Sequence, residues 1–200
     1  VRNNQIVDEL YSLINPKTNF DYRNIAIHGI KPQMVADSPD FSELWPHIES
    51  FFTPESLVVA HNAPFDCSVL THTLEKYGIA APHFNVIDTV KTSRQFYDFQ
   101  DNKLDTLCQN LDIDLAHHHN ALDDSQACAR ILLSQLQNFG SDTLKSFIYK
   151  YRENDKIKFA KKSGLRADAI RIFGSILNGV DDDFSTPFFV FAKYLRNAIK

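Results

Sequence analysis

The run Leu57-Val58-Val59-Ala60, apolar throughout and bounded by Ser56 and His61, limits the possible fold more than any other stretch. A strand with one wet face alternates apolar and polar residues. An unbroken apolar run this short reads as a strand buried on both faces, in a parallel sheet. Such a strand needs helices above and below it, and the flanking sequence supplies them. Asn62 can cap a following helix, Pro64 suits its first turn, and Gly78 stops it after about Tyr77. Phe84 to Ile87 is a second buried strand, with Asp88-Thr89 opening the next helical stretch. Leu104 to Leu111 reads as a short helix and Asn120 to about Phe139 as a longer one. Upstream, Phe41, Leu44, Trp45, Ile48, Phe51 and Phe52 recur at helical spacing. Strands alternating with helices imply an α/β layered domain.

The remaining stretches are less regular. Ile6 to Ile14 mixes apolar and polar residues in a strand-like way and stops at Asn15-Pro16, with Asn4 and Gln5 before it as a hairpin tip. Lys17 to Pro39 is loop-rich, with a corner at His28-Gly29-Ile30. Beyond Gly140, Leu144 to Tyr151 and Ala167 to Leu177 look helical, and Phe184 to Leu195 is rich in aromatic residues. Two hundred residues, 44% of them hydrophobic, can bury a sizeable core. No apolar run approaches the roughly 18 residues a membrane span needs, and no secretory signal opens the chain. The expected location is cytoplasmic. Cys67, Cys108 and Cys128 are odd in number and form no C-x-x-C pair, so three reduced, mostly buried thiols are expected. The first residue is Val1 and the only methionine is Met34, which leads to the expectation of a fragment that begins mid-fold.

Two short strings carry the chemistry: His61-Asn62-Ala63-Pro64-Phe65-Asp66 and His119-Asn120-Ala121-Leu122-Asp123-Asp124. Taken singly, Asp66 and Asp124 read as first-turn carboxylates stabilised by a helix dipole, and His117 to His119 as a polar loop. Jointly they say more. Each string places a histidine five residues before an aspartate and a small alanine two residues after the histidine. Five residues on a helix are about 500° of rotation, so histidine and aspartate cannot share a helix face. The histidine must lie in the preceding loop and fold back over the carboxylate. An imidazole there, with an ordinary pKa of about 6.5, suits a general base beside a carboxylate-held divalent cation.

These strings resemble the second and third motifs of the DEDDh 3′→5′ exonucleases of ribonuclease H-like fold, in particular those similar to the epsilon subunit of bacterial DNA polymerase III. The third motif is in its histidine form. His28-Gly29-Ile30, Phe41 to Trp45, Ile87-Asp88-Thr89 and Leu104-Asp105-Thr106-Leu107-Cys108 are similar in order to the family's intervening landmarks, over roughly residues 1–139. The resemblance implies a three-layer α/β fold with a mixed sheet. It implies two Mg²⁺ or Mn²⁺ ions, about 3.5–4 Å apart, clamping a scissile phosphate. Asp66 and Asp124 would be metal ligands and His119 the acceptor of the attacking water's proton. His61, Asn62 and Phe65 would lie against the terminal nucleotide, Phe65 being equally suited to the core. The implied partners are nucleic acid, as single-stranded or frayed 3′ DNA ends, and a DNA polymerase, with no membrane.

One element is missing. The family's first motif, Asp-x-Glu on a central first strand, occurs nowhere in the 200 residues. The expectation is therefore an exonuclease domain over 1–139 that lacks its first strand, leaving neighbouring backbone groups without ladder partners, and an inactive chain. Residues 140–200 would form a basic, mostly helical extension. Charge divides along the same line: residues 1–140 carry 9 Lys/Arg against 18 Asp/Glu, residues 141–200 carry 12 against 7. The basic segment could track a phosphate backbone or pack as a solvated appendage. Two further readings stand beside the DNA exonuclease: a ribonuclease of the same superfamily, and a catalytically dead module that binds nucleic acid or a polymerase.

Overall fold

The computed structural model describes residues 1, 5–115, 120–151 and 188–190. In chain order its elements are α1 (Tyr22–His28), a 3₁₀ turn at Pro32–Met34, α2 (Phe41–Ile48), a 3₁₀ turn at Glu49–Phe51, β1 (Leu57–Ala60), α3 (Ala63–Lys76), β2 (Asn85–Asp88), α4 (Thr89–Phe96), α5 (Leu104–Asn110), α6 (Ala121–Phe139), α7 (Ser141–Lys145), β3 (Tyr149–Lys150) and β4 (Phe188–Val190). The strand order is β3-β2-β1-β4, with β1 parallel to both β2 and β4 and β3 antiparallel to β2. This is the mixed sheet of an α/β fold.

All eight residues of β1 and β2 are buried, which is why neither strand alternates in sequence. Val58, Ala60 and Val86 pack under α2 and α3 on one face; Leu57, Val59 and Ile87 pack against Cys128 and Leu132 of α6 and Leu144 of α7 on the other. A ladder of rings joins the first face together: Phe41 to Trp45 at 5.6 Å, Trp45 to Phe52 at 5.4 Å, Phe52 to Phe84 at 5.2 Å and Phe84 to Tyr151 at 4.3 Å between centroids. These spacings are those of favourable tilted and offset aromatic pairs. Helix α2 starts from a reciprocal cap: the Asp40 carboxylate accepts from the Ser42 and Glu43 amides, and Glu43 accepts from the Asp40 amide.

Four sequence expectations give way. Residues 6–16 form no strand, and Val7, Leu10 and Tyr11 remain exposed, because alternation makes a strand only where a partner edge is offered. Inside the stretch read as loop, α1 runs from its Asp21 cap to Gly29, whose φ of 72° is the left-handed turn that ends it. Leu144 to Tyr151 is not one helix. After α7 the chain turns, and β3 pairs Tyr149 with Val86 and Lys150 with Asn85. The outer edge of β1 is not left without a partner either: Phe188–Val190 pairs along it, Leu57 to Phe188, Val58 to Phe189 and Val59 to Val190. Asn4, Ala167 to Leu177 and the rest of Phe184 to Leu195 lie outside the described residues.

A polar contact locks α4 to α6 inside this core. The Thr92 hydroxyl donates to Gln135 Oε1 at 2.7 Å, and Gln135 Nε2 donates to Ser93 Oγ at 3.0 Å; all three residues are fully buried. Gln135→Ala takes the Nε2 donor from Ser93 Oγ, leaves the Thr92 hydroxyl the longer Thr89 carbonyl contact at 3.2 Å and opens a void, so it should cost about 2–3 kcal/mol in a denaturant titration. A loss below about 0.5 kcal/mol would show that the lock contributes nothing net.

Candidate active site

The C-terminal ends of β1 and β2 are level, Ala60 lying opposite Asp88 in the parallel register. Each strand leads straight into a helix, α3 after a two-residue corner and α4 with no gap. The corner, His61-Asn62, is held at several points. Asn62 adopts φ 73°, ψ 51°, a left-handed conformation that asparagine tolerates better than most non-glycine residues. Its amide donates to Asp88 Oδ1 at 3.0 Å. The same oxygen accepts from the Val90 amide at 3.0 Å, capping α4. His61 Nε2 lies 3.0 Å from the Asn102 carbonyl, which can only accept, so that nitrogen carries a proton. Its Nδ1 is 2.9 Å from Thr89 Oγ1. The ring thereby fastens the corner to α4 and to the loop before α5.

Both sequence strings open helices, though by different means. Asn120 caps α6 through its side chain, which accepts from the Leu122 amide at 2.9 Å. Asn62 makes no such bond, contrary to expectation: its left-handed backbone turns the exposed side chain away from the first turn. Asp66 and Asp124 each sit in a first turn and are nearly buried, at 5% and 7% exposure. Phe65 is half-buried and packs against the core under α3. His119 lies outside the described residues.

The carboxylates of both helix starts act on buried groups nearby. Burial pushes the Cys128 thiol up to about 12, a nearby Thr89 hydrogen bond opposes this, and the charges of Asp66 and Asp88 add to the rise. Cys128 Sγ is 3.5 Å from Thr89 Oγ1. Asp124 is one helical turn before Cys128 on α6 and, with burial as the larger cause, helps raise the Cys108 thiol to about 11. Burial also raises the Tyr149 phenol, with Cys67, Asp88 and Asp66 contributing. Asp66 and Asp88 thus act on the same thiol and phenol, Cys128 and Tyr149, and Asp124 acts on Cys108. Hard oxygen donors of this kind suit Mg²⁺ or Mn²⁺. Among the described residues, however, no three His, Cys, Asp or Glu groups form a set that could hold an ion. By donor type a carboxylate oxygen fits such a divalent metal.

Asp88 is the residue whose role sequence reading missed. The sequence marked it as the opener of a helix and as part of the Ile87-Asp88-Thr89 landmark, with no role at the corner. The available signal was its place at the end of a buried strand parallel to β1, which sets its carboxylate beside the corner that follows Ala60.

The chain combines a mixed α/β sheet with one nearly buried carboxylate in the first turn of α3 and another in that of α6. The chain belongs to the exonuclease family: the family model described as Exonuclease matches residues 1–132, and the histidine-form motifs make it a DEDDh member. It is 33% identical over 147 residues to a DNA polymerase III PolC-type protein of Caldanaerobacter subterraneus subsp. tengcongensis, covering 73% of this chain and 10% of that protein. It is 29% identical over 130 residues to the DNA polymerase III subunit epsilon of Buchnera aphidicola subsp. Baizongia pistaciae, covering 62% of this chain and 53% of the subunit. The chain therefore spans about a tenth of the PolC-type relative and about half of the epsilon subunit. The solved structure described as Exonuclease X in complex with 5′ overhanging duplex DNA superposes with a TM-score of 0.57 at 25% identity, over 70% of this chain and 80% of that one. Among the described residues no helix is long and apolar enough to cross a membrane.

The thiols give a direct check of the packing. Cys108 and Cys128 are buried and Cys67 is half-buried. At pH 8 Cys108 and Cys128 stay protonated, so iodoacetamide should label Cys67 first in the folded chain, read by mass spectrometry. Equal labelling of Cys128 would contradict the packing of α6 on β1 and α4.

Proposed function

We propose that this chain is the catalytic framework of a 3′→5′ exonuclease that hydrolyses phosphodiester bonds at the 3′ end of DNA and releases nucleotides. The observation that carries the reading is the pair of nearly buried first-turn carboxylates. Asp66 lies on α3 and Asp124 on α6, both helices pack on β1, and the Asp66 charge reaches a thiol one turn from Asp124. The family membership gives that pair its chemistry.

Asp66 and Asp124 would hold the divalent ions, Mg²⁺ or Mn²⁺. When bound, such ions offset phosphate charge and lower the pKa of a water. The chain's own residues would do the rest. Helix starts fix both carboxylates without loop freedom, so little reorganisation is needed as charge develops. His119, just before the Asn120 cap of α6, would take the proton from the attacking water, a contribution of about 10²- to 10⁴-fold. The exposed Asn62 side chain and the outer part of Phe65 would meet the terminal nucleotide. His61 would contribute through the corner it fastens. Nucleic acid is the partner this implies, with a DNA polymerase as the protein partner, in keeping with the relatives.

We also infer that the 200 residues alone are inactive or nearly so. They contain no Asp-x-Glu, and the strand alongside β1 is Phe188-Phe189-Val190, which offers no carboxylate. The test is degradation of a 5′-labelled single-stranded DNA with Mg²⁺ or Mn²⁺, by this chain and by one extended at its N-terminus with natural sequence. The extended protein should shorten the DNA from its 3′ end, and His119→Ala in it should lower kcat about 10²- to 10⁴-fold. Equal metal-dependent activity in both chains would overturn the inference of inactivity. Full activity in His119→Ala would overturn the assigned base, and faster turnover of matched RNA would move the reading to a ribonuclease.

A further inference from the structure

We propose that Asp88 is a positioning residue for Asp66, acting through the backbone of Asn62; this rests on the reading of Asp66 as a site carboxylate. Asp88 is the last residue of β2, is 2% exposed, and lies on the face of the sheet that α3 covers, two residues beyond Val86. A single oxygen, Oδ1, does two things. It caps α4 through the Val90 amide and, across the strand ends, accepts the Asn62 amide, both at 3.0 Å. The second bond is the informative one, because a capping residue does not need it.

Asn62 is where the chain changes direction. Its φ of 73° is the left-handed region, and α3 begins at the next residue, with the Phe65 amide already donating to the Asn62 carbonyl at 2.9 Å. The direction of α3's first turn, and with it the direction of the Asp66 side chain, follows from the Asn62 torsions. Relaxed to an ordinary extended conformation, Asn62 would swing that turn away from the strand ends. His61 is fastened to Thr89 and Asn102, so the residue before the bend is fixed independently. Asp88 supplies the fixed point at the bend itself. A charged acceptor in a buried setting makes such bonds stronger than a neutral one would.

Two substitutions separate the two bonds. Asp88→Ser keeps a good capping hydroxyl for Val90 but is one atom too short to span to Asn62. Asp88→Asn keeps Oδ1 in place for both. Each removes the same negative charge, so a difference between them reports reach and not electrostatics. In the full chain, Asp88→Ser should speed amide exchange at Asn62 at least about tenfold while Val90 stays within about threefold and Tm is nearly unchanged. The ¹³C resonance of the Asp66 side-chain carboxyl should move in Asp88→Ser and return in Asp88→Asn. Mn²⁺ affinity, measured by calorimetry, should be about tenfold weaker in Asp88→Ser than in Asp88→Asn. An Asn62 amide as protected in Asp88→Ser as in the unmodified chain would overturn the proposal, as would Asp88→Asn behaving like Asp88→Ser. If the unmodified chain does not bind Mn²⁺, the metal reading of Asp66 fails, while the exchange and carboxyl measurements still decide the role of Asp88.

Discussion

Leu57–Ala60 and Asn85–Asp88 pair in parallel, residue for residue, in a core where none of the eight is exposed. Everything that bears on chemistry hangs from the far end of this pairing. Because the register sets Ala60 opposite Asp88, the residues that leave the two strands meet at once: Asn62 with Asp88, His61 with Thr89. A slip of one residue would turn every side chain of a strand to the opposite face, and both faces are filled. The pairing therefore sets two things together, the core beneath α3 and α6 and the corner from which Asp66 is presented.

The site is built against an electrostatic gradient. Asp66, Asp88 and Asp124 are all nearly buried, and their charges help keep the neighbouring Cys128, Cys108 and Tyr149 in their neutral forms, with burial the larger cause in each. Packing carboxylates close together in a low-dielectric setting is costly unless donors or cations compensate. For Asp88 the compensation is visible as two backbone amides, that of Asn62 at the corner before α3 and that of Val90 in the first turn of α4. For Asp66 and Asp124, the first turns of α3 and α6 give part of it.

Where a sequence signal was complete in itself, the sequence read correctly. The apolar runs gave β1 and β2, and the Gly78 and Asn120 signals set the end of α3 and the start of α6 to within a residue or two. Signals that depend on a partner misled. Ile6 to Ile14 has the alternation of a strand but no edge to pair with, and Leu144 to Tyr151 has helical spacing although Tyr149 and Lys150 are drawn onto the edge of β2. Phe188–Val190 was visible only as aromatic-rich sequence. Its place beside β1 is a long-range pairing that no local pattern encodes. The site divides the same way. Asp66 and Asp124 were legible from repeated spacing, whereas the carboxylate that holds the corner is defined by strand register.

The most direct measurement is anomalous diffraction from crystals of the chain soaked in Mn²⁺. The expected result is manganese density within coordinating distance, about 2.0–2.6 Å, of carboxylate oxygens from both Asp66 and Asp124, beside the ends of β1 and β2. Density confined to one of the two carboxylates, or found only at surface acids, would show that the helix starts do not form a common site and would contradict the exonuclease reading of this framework.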